Sequence, residues 1–246
     1  MNTLTEILVD ERKSRRKGGI YHKTQVQLAY NSNRIEGSKL SEDQTRYIFE
    51  TRTIGFKDQE AVPVDDIIET ANHFVAFDYL LDTINQPLSN KLIKEFHKIL
   101  KTGTADAQKP WFRVGDWKKL ANEVSGKQTA KPGEVDKEMR NLSKWYTSQK
   151  GITLDTLAEY HHRFESIHPF QDGNGRVGRL ILFRECLRND ILPFIIDDNH
   201  KMYYYRGLSE FLYTPGFLIG TFQSAQDTYC AWLKYFGDFM LEGLRQ

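Results

Sequence analysis

Along most of the chain, apolar residues recur every three or four positions, the spacing of an amphipathic helix, and polar or Gly/Pro breaks divide them into successive helices. Val26, Leu28, Ala29 and Tyr30 predict a helix over 24–33 that frays at Asn31-Ser32-Asn33. Ser41 with Gln44 three residues later is a capping-box pattern and opens a helix running to Arg52. Asp65 is placed as the cap of a long helix through Ile84, with Ile67, Ile68, Ala71, Phe74, Val75 and Leu81 on its apolar side. Pro87-Leu88-Ser89 opens another, to Lys101. From Thr102 to Pro132 the helical period lapses, and a Ser125-Gly126 turn between two short arms over 120–129 predicts a small hairpin.

The period returns over 133–148 with Val135, Met139, Leu142 and Trp145. Thr153 caps the next helix, which Pro169 ends near His168. The segment from Val177 to Leu187 is apolar nearly all round and so predicts the buried centre of a bundle. Pro193 makes Ile191–Ile196 an apolar connection rather than a strand. Asn199 begins a helix carrying Tyr203-Tyr204-Tyr205, and 217–241 forms the last helical arm. The fold class this predicts is all-α, a helical bundle with one short β-hairpin.

The densest chemistry lies in His168-Pro169-Phe170-Gln171-Asp172-Gly173-Asn174-Gly175-Arg176-Val177-Gly178-Arg179. Small residues leading into a helix make an anion site, because the first amides of the helix have no internal partner and carry positive partial charge. Gly173 and Gly175 let the backbone approach a ligand. Arg176 and Arg179, three apart, share a helix face and lean back toward its start, which suits a polyphosphate. Asp172 is placed to hold a divalent metal on those phosphates, and His168 to accept a proton from an attacking hydroxyl. One conflict stands: a helix C-terminus favours the protonated imidazole, which opposes a base.

Two other patterns fail on context. Gly173-Asn174-Gly175-Arg176-Val177-Gly178 also fits a dinucleotide fingerprint with Asp197 downstream, but Leu154, Leu157, Ala158, His161 and Phe164 precede it at helical spacing, not as a strand. His161 and His162 with His168 raise a zinc site, yet no Glu completes the zinc-protease pattern. His73 and His97 lie in helical segments and read as ordinary packed histidines.

The segment HPFQDGNGR-VG-R resembles the signature of the Fic domain family, H-P-F-x-[DE]-G-N-G-R-x-x-R, at every defined position. The resemblance implies transfer of AMP from ATP to a hydroxyl side chain of a target protein. It makes His168 the base, Asp172 the Mg2+ ligand, Gly173, Asn174, Gly175 and Arg176 the cradle of the α- and β-phosphates, and Arg179 the γ-phosphate ligand. The hairpin corresponds to the family's flap, on which Val124 would steer the target backbone by strand addition. Tyr204 or Tyr205 would stack on the adenine. Ser32-Asn33-Arg34-Ile35-Glu36-Gly37 resembles the inhibitory motif [ST]-x-x-x-E-[GN]. By that resemblance Glu36 pairs with Arg179 and denies it to the γ-phosphate, with Ser32 supporting the helix end. The same Glu36 is a candidate to hold a water for removing AMP. Residues 1–60 are then an N-terminal helical extension carrying the inhibitory segment, and 61–246 the catalytic core. The rival reading is a non-catalytic, nucleotide-sensing helical module.

Composition narrows the setting. A net charge of +1 over 246 residues gives no global push toward nucleic acid or membrane. The basic run Arg12–Lys17 reads as a solvated face. No apolar run approaches a membrane span, the first residues lack a signal peptide's order, and Cys186 and Cys230 sit in apolar helical patterns as core thiols. These point to a cytoplasmic protein; by the family resemblance its partners are ATP, a target protein and, by self-modification, its own chain, and a homo-oligomer is compatible with the sequence but not specified by it.

Overall fold

The computed structural model describes residues 3–55, 61–124, 126–237 and 243–245. Among them are helices α1 (Leu4–Ser14), α2 (Ile20–Ile35), α3 (Glu42–Thr51), α4 (Val64–Asp82), α5 (Asn90–Lys101), α6 (Val135–Thr147), α7 (Leu154–Ile167), α8 (Asn174–Arg188), α9 (Lys201–Glu210) and α10 (Gly216–Phe236). One antiparallel hairpin, β1 (Glu123–Val124) and β2 (Lys127–Gln128), interrupts them, with Glu123 opposite Gln128 and Val124 opposite Lys127. The all-α class with a single hairpin is the one the periodicity predicts.

Helix α8 is the centre. Every residue from Asn174 to Leu187 is buried, and α2, α4, α5 and α7 pack around it. Val177, Leu180, Ile181 and Phe183 join Phe77, Leu80 and Phe96 in one apolar cluster. Arg184, fully buried on the same helix, donates to the carbonyls of Thr83 and Gln86 beyond the end of α4, where its charge meets the negative end of that helix. The rigid axis that presents the glycine-rich turn is thus fixed from several sides.

The N-terminal region is more ordered than its charge pattern predicts. Thr3 and Glu6 close a capping box on α1, and Leu4 and Leu8 bury its apolar side. Arg12 is not part of a free basic face: it donates to the carbonyl of Asp78 at 2.8 Å and pairs with Asp82 on α4. Helix α2 starts at Ile20, earlier than expected, directly after Gly19. A β-carbon at Gly19 would collide with the Glu11 carboxylate, which accepts the Tyr21 amide at 2.9 Å.

The expected boundary near residue 60 falls beside residues outside those described. Ile20, Leu28 and Ile35 of α2 share the apolar cluster of Phe77 and Phe183. Helix α4 is capped by Pro63, not Asp65; the Asp65 carboxylate instead accepts the Ala105 amide at 3.0 Å. The last arm runs from Gly216 to Phe236, and the expected extension to Leu241 enters residues 238–242, outside those described. Both cysteines are free thiols, Cys186 buried and Cys230 partly so. No helix among the described residues is long and apolar enough to cross a membrane.

Candidate functional site

The site is built on the turn between α7 and α8. Helix α7 ends with His168 in the left-handed region at φ 50°, its amide bonded to the Phe164 carbonyl at 2.9 Å. A side chain in that conformation costs roughly 1–2 kcal/mol, so neighbours must hold it there. Phe170 is fully buried, stacked on the His97 ring with centroids 4.0 Å apart and planes 2° from parallel. Asn174 clamps its backbone: Oδ1 accepts the Phe170 amide at 2.8 Å and Nδ2 donates to the Phe170 carbonyl at 2.9 Å. The Asn174 side chain therefore braces the turn, and what it leaves for a ligand is its main-chain amide. Gly173 then takes φ 81°, which a β-carbon would strain, and leads into α8. With no side-chain cap on α8, the first-turn amides face outward as donors.

The hairpin is tied to the same turn. Lys118 donates its amide to the Pro169 carbonyl at 2.9 Å and its ammonium to Asn122 Oδ1 and Thr129 Oγ1, both at 2.7 Å. Asn122 Nδ2 reaches the Phe170 carbonyl at 3.1 Å, and Gln171 Oε1 accepts the Leu120 amide at 3.1 Å. Val124 lies exposed on β1, beyond these ties.

Below the turn lies a charge network. Arg176 pairs with Glu69 of α4 and, at 2.9 Å, with Asp172. Lys101 of α5 reaches Glu69 at 2.6 Å, Asp172 at 2.7 Å and Asp106 at 3.1 Å. Burial opposes the Asp172 charge, but Arg176 and Lys101 outweigh it and hold the carboxyl well below the usual range. Lys101 and Arg176 are pushed above their ordinary values by the same carboxylates, against burial. Glu69, Lys101 and Lys118 had no sequence signal: they lie far upstream of their partners' helix or in the aperiodic stretch, and only the packing of α4 and α5 on α8 brings them in.

Arg179 is different. Its side chain is 4% exposed, and its Nε and Nη2 donate to Ser32 Oγ at 3.0 Å and Ser32 O at 2.9 Å. Nη2 also pairs with Glu36 Oε1 at 2.6 Å. Burial opposes its charge, but Glu36, with Tyr204 and Glu165, outweighs that cost and raises the guanidinium further above its ordinary value. The Glu36 carboxylate lies directly over Gly175, where a β-carbon would collide with it. It thus sits at the start of α8, where an anion would.

The two tyrosines separate. Tyr204 is 1% exposed, its ring under the Arg179 guanidinium at 5.9 Å and its hydroxyl on His161 Nε2 at 2.7 Å, so it faces inward and supports the arginine. Tyr205 is 41% exposed and donates to the Ile35 carbonyl at 2.9 Å, which makes it the ring of the pair with a free surface. His161 and His162 go to separate partners, Tyr204 and the Leu208 carbonyl.

His168 answers the conflict posed by its helix end. Burial lowers its pKa to about 4, helped by the Lys118 charge, so the imidazole is neutral at ordinary pH. Among the described residues no three His, Cys, Asp or Glu side chains converge as a metal cage. Asp172 alone, with both cations on its Oδ2 and 45% of its side chain exposed, fits a magnesium ion held mainly by phosphate oxygens and water. A separate cavity of 420 Å³, lined by Gln27, Asn31, Phe217 and Trp232, contains none of these residues.

Residues 87–185, which span the turn and both flanking helices, match the model of the Fic/DOC family. Over that span the chain belongs to the Fic/DOC family. It is 30% identical over 191 residues to the protein adenylyltransferase Fic of Aedes aegypti, covering 73% of this chain and 36% of that protein. The protein of the same name from Drosophila melanogaster is 30% identical over 192 residues, covering 74% and 36%. The chain therefore spans little more than a third of these relatives. A Fic-domain signalling protein from Bacteroides thetaiotaomicron superposes with a TM-score of 0.70 at 24% identity, over 98% of this chain and 93% of that one. Fic-1 from C. elegans gives 0.66 at 21% identity, over 94% and 72%. These likenesses extend the Fic fold beyond residues 87–185 to nearly the whole chain.

Proposed function

We propose that this chain is a protein adenylyltransferase that moves AMP from ATP to a Ser, Thr or Tyr hydroxyl of a target protein. The observation that carries it is a neutral, partly buried His168 on the same braced turn as the glycine-lined start of α8 and its two buried arginines. The names of the insect relatives support the same reading. In it, the amides at Gly173, Asn174 and Gly175, with Arg176, hold the α- and β-phosphates, and Arg179 holds the γ-phosphate. Asp172 would hold Mg2+, which supplies charge neutralisation on the phosphates. The target hydroxyl oxygen attacks the α-phosphorus as its proton passes to His168, and the bond to pyrophosphate breaks. Main-chain pairing beside Val124 aligns the target segment. Tyr205 is the ring we assign to the adenine. The pairing of Glu36 with Arg179 makes this an autoinhibited form, in which residues 1–60 act as the inhibitory extension of a core over 61–246. Glu36, once turned from Arg179, is also placed to hold a water for AMP removal. Two free thiols agree with a cytoplasmic setting.

A sensor that never reacts needs no neutral base at the site, which favours the enzyme over the nucleotide-sensing module. The test is to incubate the Glu36→Gly chain with Mg2+, ATP labelled in the α-phosphate, and host lysate. Label on a protein hydroxyl, lost in the Glu36→Gly/His168→Ala double variant, is the expected result. Label that persists without His168, or none at all with nucleotide bound, refutes it.

A further inference from the structure

Glu165 is a largely enclosed carboxylate that neither the family signature nor the proposed reaction uses. It lies on the last turn of α7, three residues before His168, with 13% of its side chain exposed. Its Oε1 has no hydrogen-bond partner and packs against Gly178, where a β-carbon would come within 2.7 Å of it. Its Oε2 is 3.8 Å from His168 Nδ1, and that nitrogen also has no hydrogen-bond partner. Buried polar atoms without partners are uncommon, and here the unpartnered Nδ1 of His168 stands less than about 1 Å beyond hydrogen-bond range of Glu165 Oε2. Any side chain at position 178 would close the space that the carboxylate occupies.

We propose that Glu165 is a positioning residue that takes the Nδ1–H of His168, fixing the ring's tautomer and leaving Nε2 as the nitrogen that accepts the hydroxyl proton. The inference rests on the reading of His168 as base. The proton balance is simple. The hydroxyl proton goes to Nε2, Nδ1 keeps its own proton against the carboxylate, and the imidazolium formed is stabilised by that negative charge.

The groups facing the pair set its pH response. Glu36 at the C-cap of α2, Arg179 on α8, and Tyr204 and Tyr205 on α9 act on Glu165, while Lys118, the Glu165 backbone, Glu36 and Asp172 act on His168. Burial first, then Glu36, raises the Glu165 pKa to about 8, with Arg179 opposing. The ionised carboxylate accepts Nδ1–H more strongly than the neutral acid and alone supplies the charge that stabilises the imidazolium, so the transfer rate rises with pH through this region. Removing Glu36 takes a negative charge away and moves the rise to lower pH.

The test uses the full chain with 15N-labelled histidine at pH 9, where Glu165 is mostly ionised. NMR of His168 should report the Nδ1–H tautomer in the wild type and the Nε2–H tautomer in Glu165→Ala. In the Glu36→Gly background, Glu165→Gln should lower kcat at least tenfold, leave KM for ATP within twofold, and abolish the rise with pH, which in this background lies below pH 8; Glu165→Asp should recover part of the rate. An Nε2–H wild-type ring, the same tautomer in both chains, or a pH rise that survives Glu165→Gln overturns the proposal. The tautomer is read without any turnover, so a chain that transfers no AMP sinks the adenylyltransferase reading while the ring's protonation still decides the role of Glu165.

Discussion

Replacing Glu36 breaks the direct ion pair of Arg179 and removes a longer-range attraction on Arg176, and the size of the effect follows from the surroundings of the pair. The guanidinium is buried, and the Nη2–Oε1 separation is 2.6 Å. A hydrogen bond between charged groups contributes about 1.5–3 kcal/mol net. Glu36 keeps 30% of its side-chain exposure, and solvent screening favours the lower end of that range. A γ-phosphate must displace this carboxylate from both the guanidinium and the space over Gly175. At about 1.4 kcal/mol per decade, Glu36→Gly should tighten ATP binding by about 10- to 100-fold. Stability moves the other way: Arg179 keeps Ser32 and Tyr204 but no carboxylate in direct contact, and the loss should be about 1–2 kcal/mol, less than for a fully buried pair because water reaches the carboxylate side. Calorimetric titration with a non-hydrolysable ATP analogue, beside urea unfolding of the same samples, reads both quantities. Glu36→Gln should follow Glu36→Gly in affinity, because the charge is the competitor. Unchanged affinity in both variants, or a Gln variant that binds like wild type, would refute the competition.

His168→Ala should abolish AMP transfer with an unchanged circular dichroism spectrum. Because burial holds His168 near 4, the imidazole stays neutral as pH falls until about that value; an ordinary histidine limb between about pH 6 and 7 in the wild-type rate profile would contradict this. Gly175→Ala should leave the chain unable to bind ATP even beside Glu36→Gly, because the added methyl lies in the cup itself and 2.9 Å from Arg179 Nη1; restored binding in the double variant would show that the phosphates sit elsewhere. Phe170→Ala should cost about 3–5 kcal/mol in urea unfolding, since it empties the slot between His97 and Trp117, and a loss under about 1 kcal/mol would mean that the turn is held by Asn174 alone.

The buried axis of the fold was legible because its signal is local. An apolar run without a polar face can only sit at a centre, and Val177 to Leu187 does so. Caps were legible where the side chain has a single role, as with Ser41 and Thr153, and misread at Asp65, whose carboxylate leaves its own helix for the Ala105 amide. Helix α1 was missed because its apolar content is sparse among charges, and those charges bind α4 rather than water. At the site, the motif marked the residues but not their division of labour. Nothing in spacing tells that Asn174 turns back on Phe170, that Tyr204 faces inward under Arg179, or that Lys101 stands beside Asp172. Those follow from which helices cross, a tertiary fact that single-chain periodicity does not encode. The Glu36–Arg179 contact spans 143 residues and was reachable only through the motif resemblance.

The two motif arginines are not equivalent, and the difference locates the switch. Arg176 is paired with two carboxylates, Glu69 and Asp172, and Lys101 is locked to the same two, so this half of the cup is a closed network that does not depend on α2. Arg179 is directly paired with one carboxylate, and that carboxylate is the partly solvated end of a helix that is otherwise buried. Helix α2 itself is expensive to move. Ile20, Val26, Leu28, Ala29 and Ile35 are in the apolar interior, Asn33 reaches Thr70, Tyr205 holds the Ile35 carbonyl, and the Asp198 amide binds Asn31. Burying one such aliphatic side chain contributes about 1.5–3 kcal/mol, so withdrawing the helix would forfeit several times the energy of the Glu36 pair. Rotating Glu36 about its own side-chain bonds forfeits only that pair. It also leaves both Ser32 hydrogen bonds in place, so Arg179 stays aimed while its charge becomes available. The low-energy route to an open cup is therefore a side-chain rotation on a fixed helix, with Ser32 keeping the guanidinium where the phosphate needs it.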